Sequence, residues 1–452
     1  MTEAEAAPVD EKKLSNKELK ELKKKEKAAK RAAQKEASGI TPEQQKQIAE
    51  QKIEKKKQKQ NTATNLKKQL NQAVIKDDRK IPHLFGHLET REQRNASSPT
   101  ISHIVHPAIL SLTLKYSSYS IVGSVARLTN MLKVFKQVIQ DYETPENTTL
   151  TRHLTGHLSH QIEYLKSGRP LSVSMGNAIR WLKQEISLIS IDTSEKKAKE
   201  ILCQKIDDFI KEKIELSDQL IVENASKHIA NGSTILTYGH SQVLEELFIY
   251  CAEQQKKNFT LVIVDSRPLF EGKKLLNNMV KKIGDDFPDY INVHYVLLNA
   301  LSSTLLEDVD CVFLGAHAML SNGRLFARVG TAMIAMMCHT RNIPVLTCCE
   351  SIKFSDKVQL DSVTNNELAD PEDLINRKPT KKSFALEQFI GKKEENNNDD
   401  EPLQNWRKIP ALNVLNIMYD LTPPEYINKV VTELGALPPS SVPVILREYK
   451  ST

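Results

Sequence analysis

From about residue 226 the chain repeats one pattern: a short β-branched apolar run, then a stretch long enough for a helix. The runs are "STILTY", "FTLVIVD", "NVHYVLL", "DCVFLGA" and "IPVLTCC". Their apolar residues are continuous rather than alternating, as in strands buried on both faces of a sheet. Such strands, separated by helices, pair in parallel through crossovers that cover both faces. The pattern therefore predicts an α/β, Rossmann-like parallel-sheet domain over 226–452. The stretch "RLFARVGTAMIAMMCHT" at 324–340 is apolar nearly all round and reads as a sandwiched helix. In the closing segment Tyr426, Ile427, Val430, Val431 and Leu434 fall at helical spacing, followed by a Pro-rich turn and a short apolar strand. An Asn/Asp/Glu-rich stretch at about 376–404 reads as a low-complexity loop.

Upstream the period changes. In "SIVGSVARLTNMLKVFKQVIQDY" the apolar residues Val122, Val125, Leu128, Leu132, Phe135 and Val138 are three or four apart and line one helical face. "AIRWLKQEISLI" and "IDDFIKEKIELSDQLIV" repeat that pattern, so 96–225 is expected to be an α-helical domain. Residues 1–95 read as a charged, largely disordered extension, with helix propensity but few large apolar groups to bury. The first 60 residues hold 17 Lys+Arg against 11 Asp+Glu, which leaves 46 of each in the other 392. The body thus carries no basic excess, and only the tail offers the charge for an auxiliary, salt-sensitive contact with RNA or a ribosome-associated partner.

Cys203, Cys251, Cys311, Cys338, Cys348 and Cys349 show no C-x-x-C spacing and lie mostly in apolar runs. They read as small buried hydrophobes of a reducing compartment. No run approaches the ~18 apolar residues of a membrane span, and the N-terminus has no apolar signal core. A soluble, cytoplasmic protein without membrane contact is expected.

Four stretches carry possible chemistry. His153, His157 and His160 share a helical face at metal-ligand spacing, but no acidic or Cys ligand accompanies them, so no metal is expected. "STILTYGHSQ" runs from strand through Tyr238-Gly239-His240-Ser241 into a helical pattern, the kind of turn that places phosphate-binding and catalytic groups in α/β proteins. No G-x-S-x-G elbow surrounds it, so a nucleophile is not expected there. Asp265 and Arg267 follow the strand "FTLVIV". Either they line a ligand site, or Asp265 caps the next helix while Arg267 pairs with it or with Glu271. "DCVFLGAHAMLSNGRLFARVGTAMIA" ends a strand in Gly315-Ala316-His317, turns at Asn322-Gly323 and opens a helix near Arg328 and Gly330.

The order of these pieces resembles the family that joins methylthioribose-1-phosphate and ribose-1,5-bisphosphate isomerases to the alpha, beta and delta subunits of eukaryotic translation initiation factor 2B. The likeness spans about residues 100–450. "VLTCCESIKFSDKVQLDSVTNNELADP" and "YDLTPPEYINKVVTELGALPPSSVPVIL" are most similar to its delta branch, and a Lys-rich extension also fits that branch. The resemblance implies where the isomerase groups would stand. Gly239 in "TYGHSQ" takes the place of the catalytic cysteine, and His317 that of the catalytic aspartate. Val122 in "VGSVA" replaces a phosphate-binding arginine. Arg169 opens "RPLSVS", a remnant loop ending in Ser174. In "ARVGT", Ala327 and Arg328 replace asparagine and lysine.

Without a thiol or a carboxylate at those places, an aldose–ketose isomerisation has no acid–base pair. The resemblance therefore implies a regulatory, non-catalytic subunit without a cofactor. Its partners would be the alpha, beta, gamma and epsilon subunits of the exchange factor, with beta met through the α/β domain. The helical domain would face initiation factor 2 and help sense its phosphorylated alpha subunit. Arg127, Arg152, Lys166, Lys196, Lys199, Lys205 and Lys211 are the candidate cations for that contact, read with Arg169 as solvent-facing. The alternative is an isomerase with a rearranged site, in which His317 is the base while Arg267 and Arg328 hold phosphate.

Overall fold

The computed structural model describes residues 80–96, 104–146, 148–190, 193–284, 290–375, 403 and 405–451. The readings of the tail before residue 80, and of almost all of the 376–404 loop, lie outside the described residues. Residues 80–95, counted from sequence with the charged extension, are built into the fold. They form a 3-10 turn His83–Phe85 and helix α1 (Arg91–Ala96). Phe85 and Arg94 are buried. The Lys80 carbonyl accepts from Val414 N at 3.2 Å and the Lys80 ammonium donates to Ile409 O at 2.9 Å.

The helical module follows: α2 (Pro107–Ser117), α3 (Ser124–Asp141), α4 (Leu150–Gly168), α5 (Val173–Leu188) and α6 (Glu195–Ile210). Val125, Leu128, Leu132, Phe135 and Val138 of α3 are all buried in one cluster with Leu158, Leu165, Leu182 and Ile206. This is the apolar face that the spacing predicts. Val122 lies just before α3 rather than on it. A π-helical stretch Lys211–Leu216 joins α6 to α7 (Ser217–Ser226). There the packing changes partner: Ile214 belongs to the helical cluster, whereas Ile221, Val222 and Ala225 of α7 pack against the sheet.

The main sheet holds β1 (Thr234–Tyr238), β2 (Phe259–Asp265), β3 (Ile291–Leu297), β4 (Cys311–Gly315), β7 (Val345–Cys348), β10 (Lys429–Thr432) and β11 (Gly435–Leu437). Its order is β11-β10-β7-β4-β1-β2-β3, parallel throughout except for β11. The five runs read from sequence are β1, β2, β3, β4 and β7. Residues alternate between faces. Ile235 and Phe313 pack under α7, α8 (Gln242–Glu253) and α9 (Glu271–Ile283), while Leu236, Val312 and Val345 pack under α10 (Thr331–Thr340). Both faces are covered, which is why the strands are apolar continuously. A four-stranded sheet, order β8-β5-β6-β9, adds β5 (Ala318–Leu320), β6 (Leu325–Arg328), β8 (Phe354–Ser355) and β9 (Tyr419–Thr422).

Two sequence readings are corrected. The stretch 324–340 is a strand and then a helix: Leu325–Arg328 pairs with β9, and Gly330 at φ +104° starts α10. Buried and half-buried positions alternate along β6, a period that an all-apolar run conceals. In the C-terminal segment helix and strand are exchanged. Val430 and Val431 lie in β10, paired with β7, while the supposed strand is helix α11 (Val442–Ser451) with Pro443 in its first turn, where no backbone donor is lost.

Candidate functional site

Strand order reverses between β4 and β1, and a cleft opens at their carboxyl ends, the usual binding place of a doubly wound sheet. A cavity of about 320 Å³ there is lined by Tyr238 to Gln242, by Leu314 to His317 and by Val122 to Ala126 at the start of α3. The helical module therefore closes one side. A second lobe of about 190 Å³ continues past Asp265, Arg267 and Met418, and Tyr238, Gly239, Glu271 and Arg328 line both.

Gly239 adopts φ +67°, a left-handed conformation that lets β1 turn sharply into α8. Its amide donates to Val264 O at 2.9 Å. The neighbouring His240 ring lies 2.9 Å from Glu245, which also accepts from Asn278 at 2.8 Å and pairs with Lys282 at 2.8 Å. Burial pushes the Glu245 carboxyl up, but these hydrogen bonds together outweigh it and hold the group at about 2. His240 is thus tied to a carboxylate that orients the turn, and Ser241 heads α8.

His317 packs against Tyr419 and Phe326, with ring centroids 4.3 and 5.7 Å away. Burial, and then Arg127, Arg169, Arg328 and Lys353, depress its pKa well below the ordinary histidine value. It is neutral at physiological pH and a weak base, enclosed by aromatic rings in a field of cations.

Those cations are already engaged. Arg169 sits at the end of α4, is 1 % exposed, and donates to Glu367 at 2.6 Å and to the Tyr419 hydroxyl at 3.0 Å. Tyr119 also donates to Glu367, at 3.2 Å. Arg328 grips Glu271 with two bonds, Nε–Oε2 at 2.6 Å and an Nη–Oε1 contact at 2.8 Å, and stands over the Tyr419 ring. Burial alone would lower its pKa, yet Glu271 and Tyr419 raise it above the usual arginine value. Lys353 pairs with Glu350 at 2.6 Å. Asp218 of α7 faces this pair, and its carboxyl is pushed up to about 9 by burial and then by Glu350.

The residues read from sequence separate accordingly. Val122, Gly239, His317 and Arg328 meet at the first lobe. Arg169 adjoins them through Tyr419, and Ala327 is buried on β6. Asp265 is a buried cap: it accepts from the backbone of Ser266 and Lys273 and from the Tyr295 hydroxyl at 2.8–3.0 Å. Arg267 is exposed in the second lobe and does not pair with Glu271, which Arg328 occupies.

Two of the supposed solvent-facing arginines, Arg127 and Arg169, are each only 1 % exposed. Arg127 donates to the Pro170 carbonyl and lies over Tyr116, on the buried face shared by Leu128 and Met131. Arg152, Lys166, Lys196 and Lys211 are exposed; Lys199 pairs with Glu195 and Lys205 with Glu185. The carboxylate Glu367 escaped the sequence reading because no spacing relates it to Arg169, Glu350 was not singled out although it lies three residues before Lys353, and Glu271 was offered to Arg267 rather than to Arg328. Among the described residues no cluster of His, Cys, Asp or Glu could hold a metal, and His153 is bonded to Tyr142. The six cysteines are buried and unpaired. No helix among the described residues is long and apolar enough to cross a membrane.

Comparison with known proteins gives this geometry its context. The chain is 41 % identical, over 98 % of its length and 91 % of the relative's, to the delta subunit of translation initiation factor eIF2B from Schizosaccharomyces pombe. It is 26 % identical over 66 % of its length, and 82 % of the relative's, to ribose 1,5-bisphosphate isomerase from Pyrococcus furiosus. Among solved structures, a chain of the tetrameric beta2-delta2 complex of eIF2B from C. thermophilum aligns with TM-score 0.61 and 32 % identity, covering 78 % of this chain and 98 % of that one. The model of the Initiation factor 2 subunit family matches residues 120–439, and the chain belongs to that family.

Proposed function

We propose that this chain is a delta-type regulatory subunit of the translation initiation factor 2B exchange complex, cytoplasmic and without catalysis of its own. The observation that carries the reading is 41 % identity across 98 % of the chain to a delta subunit. The cleft supports it chemically. At the positions that the resemblance assigns to the isomerase groups stand Gly239 and an imidazole, His317, whose pKa is depressed by burial and four cations, so in this reading no acid–base pair is in place for aldose–ketose proton transfer. The beta subunit is the first partner in this reading, supported by the beta2-delta2 assembly of the C. thermophilum relative, with alpha, gamma and epsilon completing the complex. Affinity purification of the full chain with mass spectrometry should recover those four subunits. Their absence, or turnover of ribose-1,5-bisphosphate that disappears in His317→Ala, would overturn the assignment.

The finer role proposed is to help sense the phosphorylated alpha subunit of initiation factor 2 through the helical module. Arg152, Lys166, Lys196 and Lys211 supply exposed cations for it, and Arg127 and Arg169 drop out because they are buried. Phosphoserine at such a surface adds charge-assisted hydrogen bonds. Charge reversal at these four positions should leave nucleotide release from unphosphorylated factor 2 intact in a reconstituted complex, while weakening inhibition by the phosphorylated form. Unchanged inhibition in every variant would remove this surface from the mechanism. Auxiliary RNA contact by the Lys-rich tail remains part of the proposal, tested by crosslinking the full chain to RNA at low and high salt.

A further inference from the structure

The two lobes of the cleft meet at one ion pair. Glu271, first residue of α9, and Arg328, last of β6, line both the 320 Å³ and the 190 Å³ cavities. Their contact is bidentate, a fork closing on two carboxylate oxygens, and this is also how a guanidinium holds two oxygens of a phosphate. Both side chains keep contact with solvent, Arg328 at 19 % and Glu271 at 17 % exposure, so the pair sits at a place that a dissolved anion can reach. Two other cations of the first lobe are also held from within, Lys282 by Glu245 and Lys353 by Glu350, and Lys274 lines the lobe beside them.

We propose that Glu271 is a built-in anion, holding Arg328 in place of an external phosphate group and barring the passage between the lobes. A carboxylate fixed on the same chain competes at an effective concentration that free phosphate in solution does not match. The cleft is therefore closed to phosphate monoesters by an internal contact rather than by loss of its cation. Removing the carboxylate should uncover an anion site formed by Arg328, with Arg267 in the adjoining lobe. This inference concerns the cleft alone and holds whichever subunits the chain assembles with.

The experiment compares thermal unfolding of the full chain in inorganic phosphate and in chloride at matched ionic strength, for wild type, Glu271→Gln and Glu271→Gln/Arg328→Gln. Glutamine keeps the shape and removes the charge. Glu271→Gln should gain about 2–4 °C once phosphate exceeds its dissociation constant tenfold. Wild type and the double variant should not respond. An equal response in wild type, or none in a folded Glu271→Gln, overturns the proposal. A wild-type readout covers the case in which the variant does not fold: phenylglyoxal followed by peptide mapping should modify Arg267 at least ~10-fold faster than Arg328, since the bidentate pair occupies the fork. Equal rates at the two arginines would equally overturn it.

Discussion

Arg169 and Glu367 are 198 residues apart in sequence and nearly removed from water in the fold. A buried charge whose partner is deleted costs far more than the pair is worth, because the remaining ion stays desolvated. Arg169→Met should therefore lower stability by about 3–5 kcal/mol, and Arg169→Met/Glu367→Leu should recover most of that loss; urea unfolding of both variants measures it. A single variant as stable as wild type would mean that water reaches the pair. Glu245 gives a pH prediction. Its folded-state value of about 2 lies below the ordinary 4.5, so its contribution is complete above pH 4.5 and lost as pH falls toward 2. His240→Gln should flatten the acid side of the stability profile between pH 5 and 3, and a profile identical to wild type would exclude the hydrogen bond. At this scale the family resemblance brought Gly239, His317 and Arg328 to one place, and the cleft holds all three. The sequence reading missed Glu367, whose pairing with Arg169 exists only in three dimensions, offered Glu271 to Arg267 rather than to Arg328, and put Arg127 on the surface, where most arginines lie.

The C-terminal segment shows how elements are decided. Val430, Val431 and Leu434 fit a helical spacing, yet a short apolar run fits either period, and the free edge of β7 settles the choice in favour of a strand. The consequence is testable. Val431, with 0 % exposure, lies inside the sheet, whereas Leu434 at 56 % sits in the turn before β11. Val431→Asp should leave the chain insoluble or cost at least ~4 kcal/mol through an unpaired buried charge. Leu434→Asp should stay within ~0.5 kcal/mol of wild type, as surface changes do. Circular dichroism and thermal melts separate the two, and similar losses in both would restore the helical reading. Strands β5, β8 and β9, two to four residues each, were not legible, and β6 shows its alternation in burial but not in its apolar sequence.

For the whole molecule, the alternation of strand and helix identified the doubly wound layer, since continuous apolar strands need two covers. Its limits were less legible: residues 80–95, read as extension, belong to the described fold, and the helical core gives way to the sheet's own helices at the π-helical stretch. A chain starting at residue 80 should melt with the full chain, while one starting at residue 97 should melt several degrees lower, having lost Phe85, Arg94 and the Lys80 backbone bond. Equal melting of the two would make residues 80–96 dispensable. The sheet order also governs how the chain is made. Val345, at the start of β7, is bonded to Asn428, 83 residues further on, and β10 then fills the edge of β7. During synthesis β7 must wait until β10 has been made, and until then its edge is open to any passing strand. Each nascent chain therefore passes through a period of vulnerability, and a chain cut before Lys429 is a protein with an adhesive edge rather than a shortened one.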